Sequence, residues 1–213
     1  RFYAGYPITP SSEIMEYLSW RMNEVGGAFV QAESELAGIN MVIGASSCGV
    51  RALTASSGPG ISLKQEGIST LCDEGLPAVV ITQVRYGNGL GTLFTSQCDY
   101  HRETRGGGQG DYRCIVLCPS SIQEFVDLML PAYELAEKYR IVTIMMGEGT
   151  LGQMMEPVEL PDFVEPKRTP WALNGHYTYK KIGIFERDSM AEAVELRAKY
   201  AEIKENEQRW EEE

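Results

Sequence analysis

The sequence is short of histidine, of positive charge and of long apolar runs, and each shortage removes a class of function. The two histidines, His101 and His176, stand far apart, so neither reads as part of a metal cluster or as a catalytic base. Lysine and arginine number 19 against 30 acidic residues, a net charge of −11. Sequence-independent nucleic-acid binding needs a basic footprint, and none is present. Much of the imbalance sits at one end: half of the residues from Glu202 to Glu213 are Glu. No apolar run approaches the roughly eighteen residues of a membrane span, and no secretory signal opens the chain, so a membrane partner is not expected. Five cysteines (Cys48, Cys72, Cys98, Cys114 and Cys118) are odd in number and scattered, which argues against a disulfide framework and for reduced cytoplasmic thiols. Cys-x-x-Cys does not occur, so no zinc or iron–sulfur site is expected on this chain. Cys114 and Cys118 lie in Cys-Ile-Val-Leu-Cys, which reads as a buried strand.

Apolar runs alternate with helical patterns. Phe2–Ala4 reads as the end of a strand, so the chain is expected to continue upstream. Thr9-Pro10 then has the form of a helix start, with Thr9 as N-cap and Pro10 at the first helical position; Ile14, Tyr17, Leu18 and Met22 follow at helical spacing. Ala28–Gln31 is a short strand and Ser34–Ser47 a helix rich in small residues. Arg51–Ala55 is the next strand, Ser56–Gly60 a nest-like turn, and a helix follows to about Cys72. Pro77–Val84, with Ala-Val-Val-Ile, has the composition of a buried parallel strand. Cys114–Leu117 and Ile141–Met146 read as strands around a helix that runs to about Lys138. Ser120 and Ser121, each with Gln or Glu three residues on, supply its capping-box pattern.

This alternation predicts an α/β fold, a mostly parallel sheet with helices on both faces. Ligands in such sheets bind at the carboxyl ends of strands. The informative loops are therefore those after Ala4, Gln31, Ala55 and Val84. Residues 86–112 are Gly-rich and irregular, and a loop of that length inside a compact domain is usually functional; it reads as a lid or a partner surface. The α/β domain is expected over 1–150. Residues 151–213 read as an extended crossing segment marked by Pro157, Pro161, Pro166 and Pro170, then a linker helix from Asp188 or Ser189 to about Trp210, leading to a second domain outside this sequence.

Three segments carry candidate chemistry. Tyr6-Pro7-Ile8-Thr9-Pro10-Ser11 joins a strand end to a helix start, where backbone N–H groups converge on an anion; Thr9 either caps its helix or offers its hydroxyl to a carboxylate. Glu33 and Glu35 lie at the next strand-to-helix junction, where an acid complements the helix dipole. Arg85 ends the buried strand, where a guanidinium suits either a bidentate carboxylate or an ion pair with a surface acid.

Glu35-Leu36-Ala37-Gly38, with Gly44 nine residues after the acid, resembles the helix start of thiamine-diphosphate enzymes. Together with Tyr6–Ser11, Thr54–Gly60, Gly106–Tyr112 and Leu151–Pro157, it resembles the α-type subunits of 2-oxoacid:ferredoxin oxidoreductases, and the last two segments most resemble the branched-chain (2-oxoisovalerate) members. The similarity runs through residues 1 to about 175. It implies the thiamine-diphosphate pyrimidine-binding fold. It also implies that Glu35, rather than Glu33, activates the cofactor's aminopyrimidine, that Thr9 and Arg85 bind the oxoacid carboxylate, and that Tyr6, Pro7, Ser57 and Gly58 line the cofactor. The implied reaction is oxidative decarboxylation of 2-oxoisovalerate to acyl-CoA with electrons to ferredoxin; 2-oxoglutarate or pyruvate as substrate, or a scaffold domain that only docks partners, are the alternatives. This chain has no Gly-Asp-Gly…Asn motif, since Gly110-Asp111-Tyr112 does not match it. The implied hetero-oligomer therefore takes Mg2+ and the diphosphate from a β-type subunit, and iron–sulfur clusters from a ferredoxin-like subunit, with the cofactor shared across the interface.

Overall fold

A computed structural model describes residues 1–165, 169 and 171–173, which belong to one compact unit, Arg1–Leu173. The expected helix from Asp188 or Ser189 to Trp210 lies outside the described residues. The elements are β1 (Phe2–Gly5), α1 (Ser12–Glu24), β2 (Ala28–Gln31), α2 (Glu35–Ser47), β3 (Ala52–Ser57), α3 (Pro59–Asp73), β4 (Ala78–Val84), α4 (Tyr100–Arg105), β5 (Ile115–Leu117), α5 (Ile122–Tyr139), β6 (Val142–Glu148) and α6 (Gly149–Gln153). The strands form one sheet in the order β2-β1-β3-β4-β6-β5, and every pairing is parallel. Among the described residues no helix is long and apolar enough to cross a membrane.

Side chains alternate across the pleat, so each strand feeds two cores. One face carries Tyr3, Ala55, Val79, Ile81 and Met145, packed against Met15 and Met22 of α1 and Ala132 of α5. Against the other face lie α2 and α3. Central β4 is buried at all seven positions, as a strand covered on both faces must be. Helices α2 and α3 approach closely because Gly67 has no side chain: a methyl group there would fall 2.5 Å from Ile39 Cγ1.

The chain leaves β1 toward β2 on one side and leaves β3 toward β4 on the other. Loops after β1 and β3 therefore diverge, and the crevice between them is the topological switch point of the sheet.

Local signals explain most boundaries. Ser34 is extended and its hydroxyl accepts from the Ala37 N–H at 3.2 Å, capping α2. Ser121 accepts from the Glu124 N–H at 3.1 Å, while Ser120 donates its N–H and its hydroxyl to Glu124 Oε2, completing the capping box. Three expectations fail. Helix α1 begins at Ser12 with Ser11 in the N-cap position, so Thr9 is not its cap; Pro10 cannot donate, and the chain turns once more before the helical ladder closes. Ser56 and Ser57 belong to β3 rather than to a turn, because both continue the ladder against Thr82 and Gln83 of β4. Cys114 likewise precedes β5, and Cys118 is exposed rather than buried in a strand.

Gly67→Ala is expected to lower unfolding free energy by about 1–3 kcal/mol through overpacking against Ile39. A lower urea midpoint at unchanged slope would report this; an unchanged midpoint would mean that the α2–α3 contact is looser than described.

Candidate functional site

Every sequence-predicted site residue falls at the carboxyl edge of the sheet, around the switch point. Glu35 is the first residue of α2. It is 7% exposed, whereas Glu33 two residues earlier is exposed. The carboxylate of Glu35 packs on the first turn of α3. A Cβ at Gly60 would lie 2.7 Å from Glu35 Oε1 and 2.1 Å from Ser56 Oγ, so position 60 has room only for glycine. The side chain thus sits beside the N-terminal turns of two helices, where exposed N–H groups favour negative charge. No hydrogen bond from a described residue reaches its carboxylate. Nearby, the buried hydroxyls of Ser56 and Ser57 at the end of β3 also have no partner among the described residues. Groups so placed are normally satisfied, and a polar heterocycle entering the crevice would supply what they lack.

Arg85 and Thr9 are brought together. The guanidinium Nη1 donates to the Thr9 carbonyl at 2.9 Å, and Nη2 donates to the Leu90 carbonyl. Arg85 is 7% exposed and makes no ion pair among the described residues, which removes the surface-salt-bridge reading. Its Nε is buried without a partner, so three of its five N–H groups are uncommitted. The turn at Gly58 shapes this wall. Its φ of 47° is one that residues with a Cβ rarely adopt, and a Cβ there would come within 2.8 Å of Arg85 Nε. Thr9 is exposed, and its hydroxyl bonds no described residue. Tyr6 (39% exposed) and Pro7 follow the end of β1 and are exposed.

Several contributors were not legible beforehand. Lys64 of α3 is fully buried and donates to the Glu35 carbonyl at 3.3 Å. Burial pulls its pKa down to about 8, against the raising effect of Glu35. A lysine following Ile-Ser-Leu reads as surface, and only the packing of α2 over α3 encloses it. The loop after β4 is also more ordered than its glycines suggested. Within α4, Arg102 pairs with Asp99 at 3.1 Å and with Glu103 at 3.0 Å, and its Nη1 reaches toward the Gly58 carbonyl and Ser62 Oγ. Burial raises the Glu103 carboxyl above its ordinary range, opposed by the Arg102 cation. The far hinge is fixed by Tyr112, whose hydroxyl accepts the N–H groups of Gly107 and Gly108 at 3.0 Å each and donates to Gln65 Oε1 at 2.9 Å. Between Arg85 and α4, Tyr86, Leu90, Leu93 and Phe94 are exposed, as is Tyr100 at the start of α4. His101 is exposed as well. Among the described residues no three His, Cys, Asp or Glu side chains gather as a metal site.

Comparison with known proteins bears on this geometry directly. Residues 1–213 match the family described as Pyruvate flavodoxin/ferredoxin oxidoreductase, thiamine diP-bdg. The chain belongs to this family. The chain is 50% identical over 217 residues to the ketoisovalerate oxidoreductase subunit VorB of Methanothermobacter thermautotrophicus, covering 99% of this chain and 62% of that one. It is 45% identical over 166 residues to the 2-oxoglutarate synthase subunit KorA of Methanocaldococcus jannaschii, covering 78% and 45% respectively. Among solved structures it superposes with a TM-score of 0.69 and 34% identity on 2-oxoglutarate:ferredoxin oxidoreductase from Magnetococcus marinus with 2-oxoglutarate, coenzyme A and succinyl-CoA bound, over 71% of this chain and 27% of that one. The family-member chain described here therefore spans about three-fifths of the VorB subunit's length. The α/β thiamine-diphosphate-binding fold expected from the sequence is the fold observed.

The Tyr112 hydroxyl holds three partners at once, so Tyr112→Phe should cost about 1–3 kcal/mol. Gly107 and Gly108 amides should exchange faster with deuterium; unchanged protection would show that the hinge is held by something else.

Proposed function

We propose that this chain is the pyrimidine-binding part of the α-type subunit of a 2-oxoacid:ferredoxin oxidoreductase acting on 2-oxoisovalerate, which is decarboxylated oxidatively to acyl-CoA and CO2 with electrons passed to ferredoxin. The single observation that carries it is a nearly buried carboxylate, Glu35, with no donor among the described residues, lodged at the switch point of a family-member sheet. The ketoisovalerate oxidoreductase relative supports the branched-chain substrate over 2-oxoglutarate: it matches 99% of this chain at 50% identity, whereas KorA matches 78% at 45%.

The residues present fit the proposed group. Thiamine diphosphate, when bound, supplies the carbon nucleophile and the electron sink for decarboxylation. Glu35 would hold a proton at the aminopyrimidine ring nitrogen, which through conjugation would favour the basic imino form of the exocyclic nitrogen. Ser57 and the Gly58 turn border the ring, and Tyr6 and Pro7 close the mouth. Thr9 and Arg85 orient the oxoacid carboxylate, Arg85 through its uncommitted N–H groups. The remaining parts belong to other chains in this reading: a diphosphate-binding β-type subunit with Mg2+, and an iron–sulfur ferredoxin-like subunit, in a cytoplasmic hetero-oligomer that also takes coenzyme A. In this reading residues 1–150 form the cofactor-binding domain.

In the reconstituted complex, Glu35→Gln should slow exchange of the cofactor's C2 proton by about 10²–10⁴-fold, the usual span for a positioned acid–base group. Wild-type exchange in that variant would refute the assignment. Arg85→Ala should raise KM for 2-oxoisovalerate with C2 exchange nearly intact. Collapse of exchange in Arg85→Ala would instead place Arg85 on the cofactor.

A further inference from the structure

Lys64 is the one lysine among the described residues that lies wholly inside the protein, at 0% exposure. Sequestering an ammonium is unfavourable unless charge or hydrogen bonds compensate it. What surrounds it is telling. Its Nζ donates to the backbone carbonyl of Glu35 at 3.3 Å. A Cβ at Gly38 would stand 3.3 Å from that Nζ, 3.4 Å from Gly5 Cα and 3.6 Å from the Ala4 carbonyl oxygen. The ammonium is therefore wedged where the end of β1, the first turn of α2 and the body of α3 meet. The titratable group facing it is Glu35, whose charge opposes the effect of burial.

An ammonium so placed is costly as packing alone, and its hydrogen bond goes to the first residue of α2. Resting on the reading that Glu35 serves the cofactor, we infer that Lys64 is a positioning residue for Glu35: its ammonium, bonded to the Glu35 carbonyl, pins the first turn of α2 and so fixes where the Glu35 side chain leaves the helix. Two consequences separate this from a packing role. A side chain that keeps a donor for that carbonyl must restore function that an apolar one of similar length does not, since the carbonyl is otherwise left unpaired. The two side chains must also be energetically coupled without any cofactor.

The test uses the full-length subunit in its complex, with Lys64→Met, Lys64→Gln, Glu35→Gln and the Glu35→Gln/Lys64→Met double variant. In the complex freed of thiamine diphosphate, thermal midpoints of the two single variants and the double variant should be non-additive, the double standing above the sum of the single losses. As pH rises from about 8 past the ordinary lysine value, wild type should gain stability relative to Lys64→Met: the unfolded state holds the Lys64 proton that the folded state has released. In the loaded complex Lys64→Met should slow C2 exchange about tenfold, the effect of leaving a buried carbonyl unpaired, and Lys64→Gln should recover part of that loss. Additive midpoints, or equal losses in Lys64→Met and Lys64→Gln, would overturn the proposal. Retained exchange in Glu35→Gln would instead defeat the functional reading, while the cofactor-free cycle would still report on the pair.

Discussion

The site turns on keeping one carboxylate almost dry. An isolated carboxylate resists leaving water, yet Glu35 lies at the start of α2 with its side chain against α3. The surrounding sequence reads as the set of accommodations this requires. Gly60 leaves space for Oε1, Gly38 leaves space for the Lys64 ammonium, and Ser34 caps the helix so that α2 begins at Glu35 and not a residue later. The N-terminal turns of α2 and α3 add their dipoles on the same side. A shift of one residue in the start of α2 would rotate the carboxylate by about 100°, out of the crevice, so the cap and the glycines fix where the carboxylate stands.

The second half of the crevice is built by backbone. Arg85 ends a fully buried strand and spends two N–H groups on the carbonyls of Thr9 and Leu90. The loop after β1 and the loop after β4 are thereby tied to one guanidinium. The α4 turn then lies near the Gly58 region through Arg102. Exposed Tyr86, Leu90, Leu93, Phe94 and Tyr100 on the same loop contrast with this anchoring, since a soluble surface rarely groups large apolar side chains without covering them.

Much of this was legible in the sequence where local physics decides. The strand–helix alternation gave the parallel sheet, and Ser34 and Ser121 gave two helix starts. Glu35 could be preferred to Glu33 only through family resemblance; in the structure Glu35 is buried and Glu33 exposed. The failures have two causes, turns closed within a few residues and pairing with partners distant in sequence. Thr9 has the chemistry of a cap, but Ser11 occupies that position because the chain turns beyond Pro10. Ser56 and Ser57 have turn chemistry, but pairing with β4 makes them strand. Lys64 has the chemistry of a surface residue until α2 covers it, and the Arg102–Asp99–Glu103 set in α4 was hidden inside a segment read as irregular.

The measurement that bears most directly on the central claim is an experimental structure of the complete complex with thiamine diphosphate bound. The account predicts a Glu35 carboxylate oxygen at charge-assisted hydrogen-bond distance, about 2.5–2.9 Å, from the aminopyrimidine ring nitrogen. A ring held by Glu33 or by a carboxylate of another chain, with Glu35 still packed on Gly60 and out of reach, would contradict it.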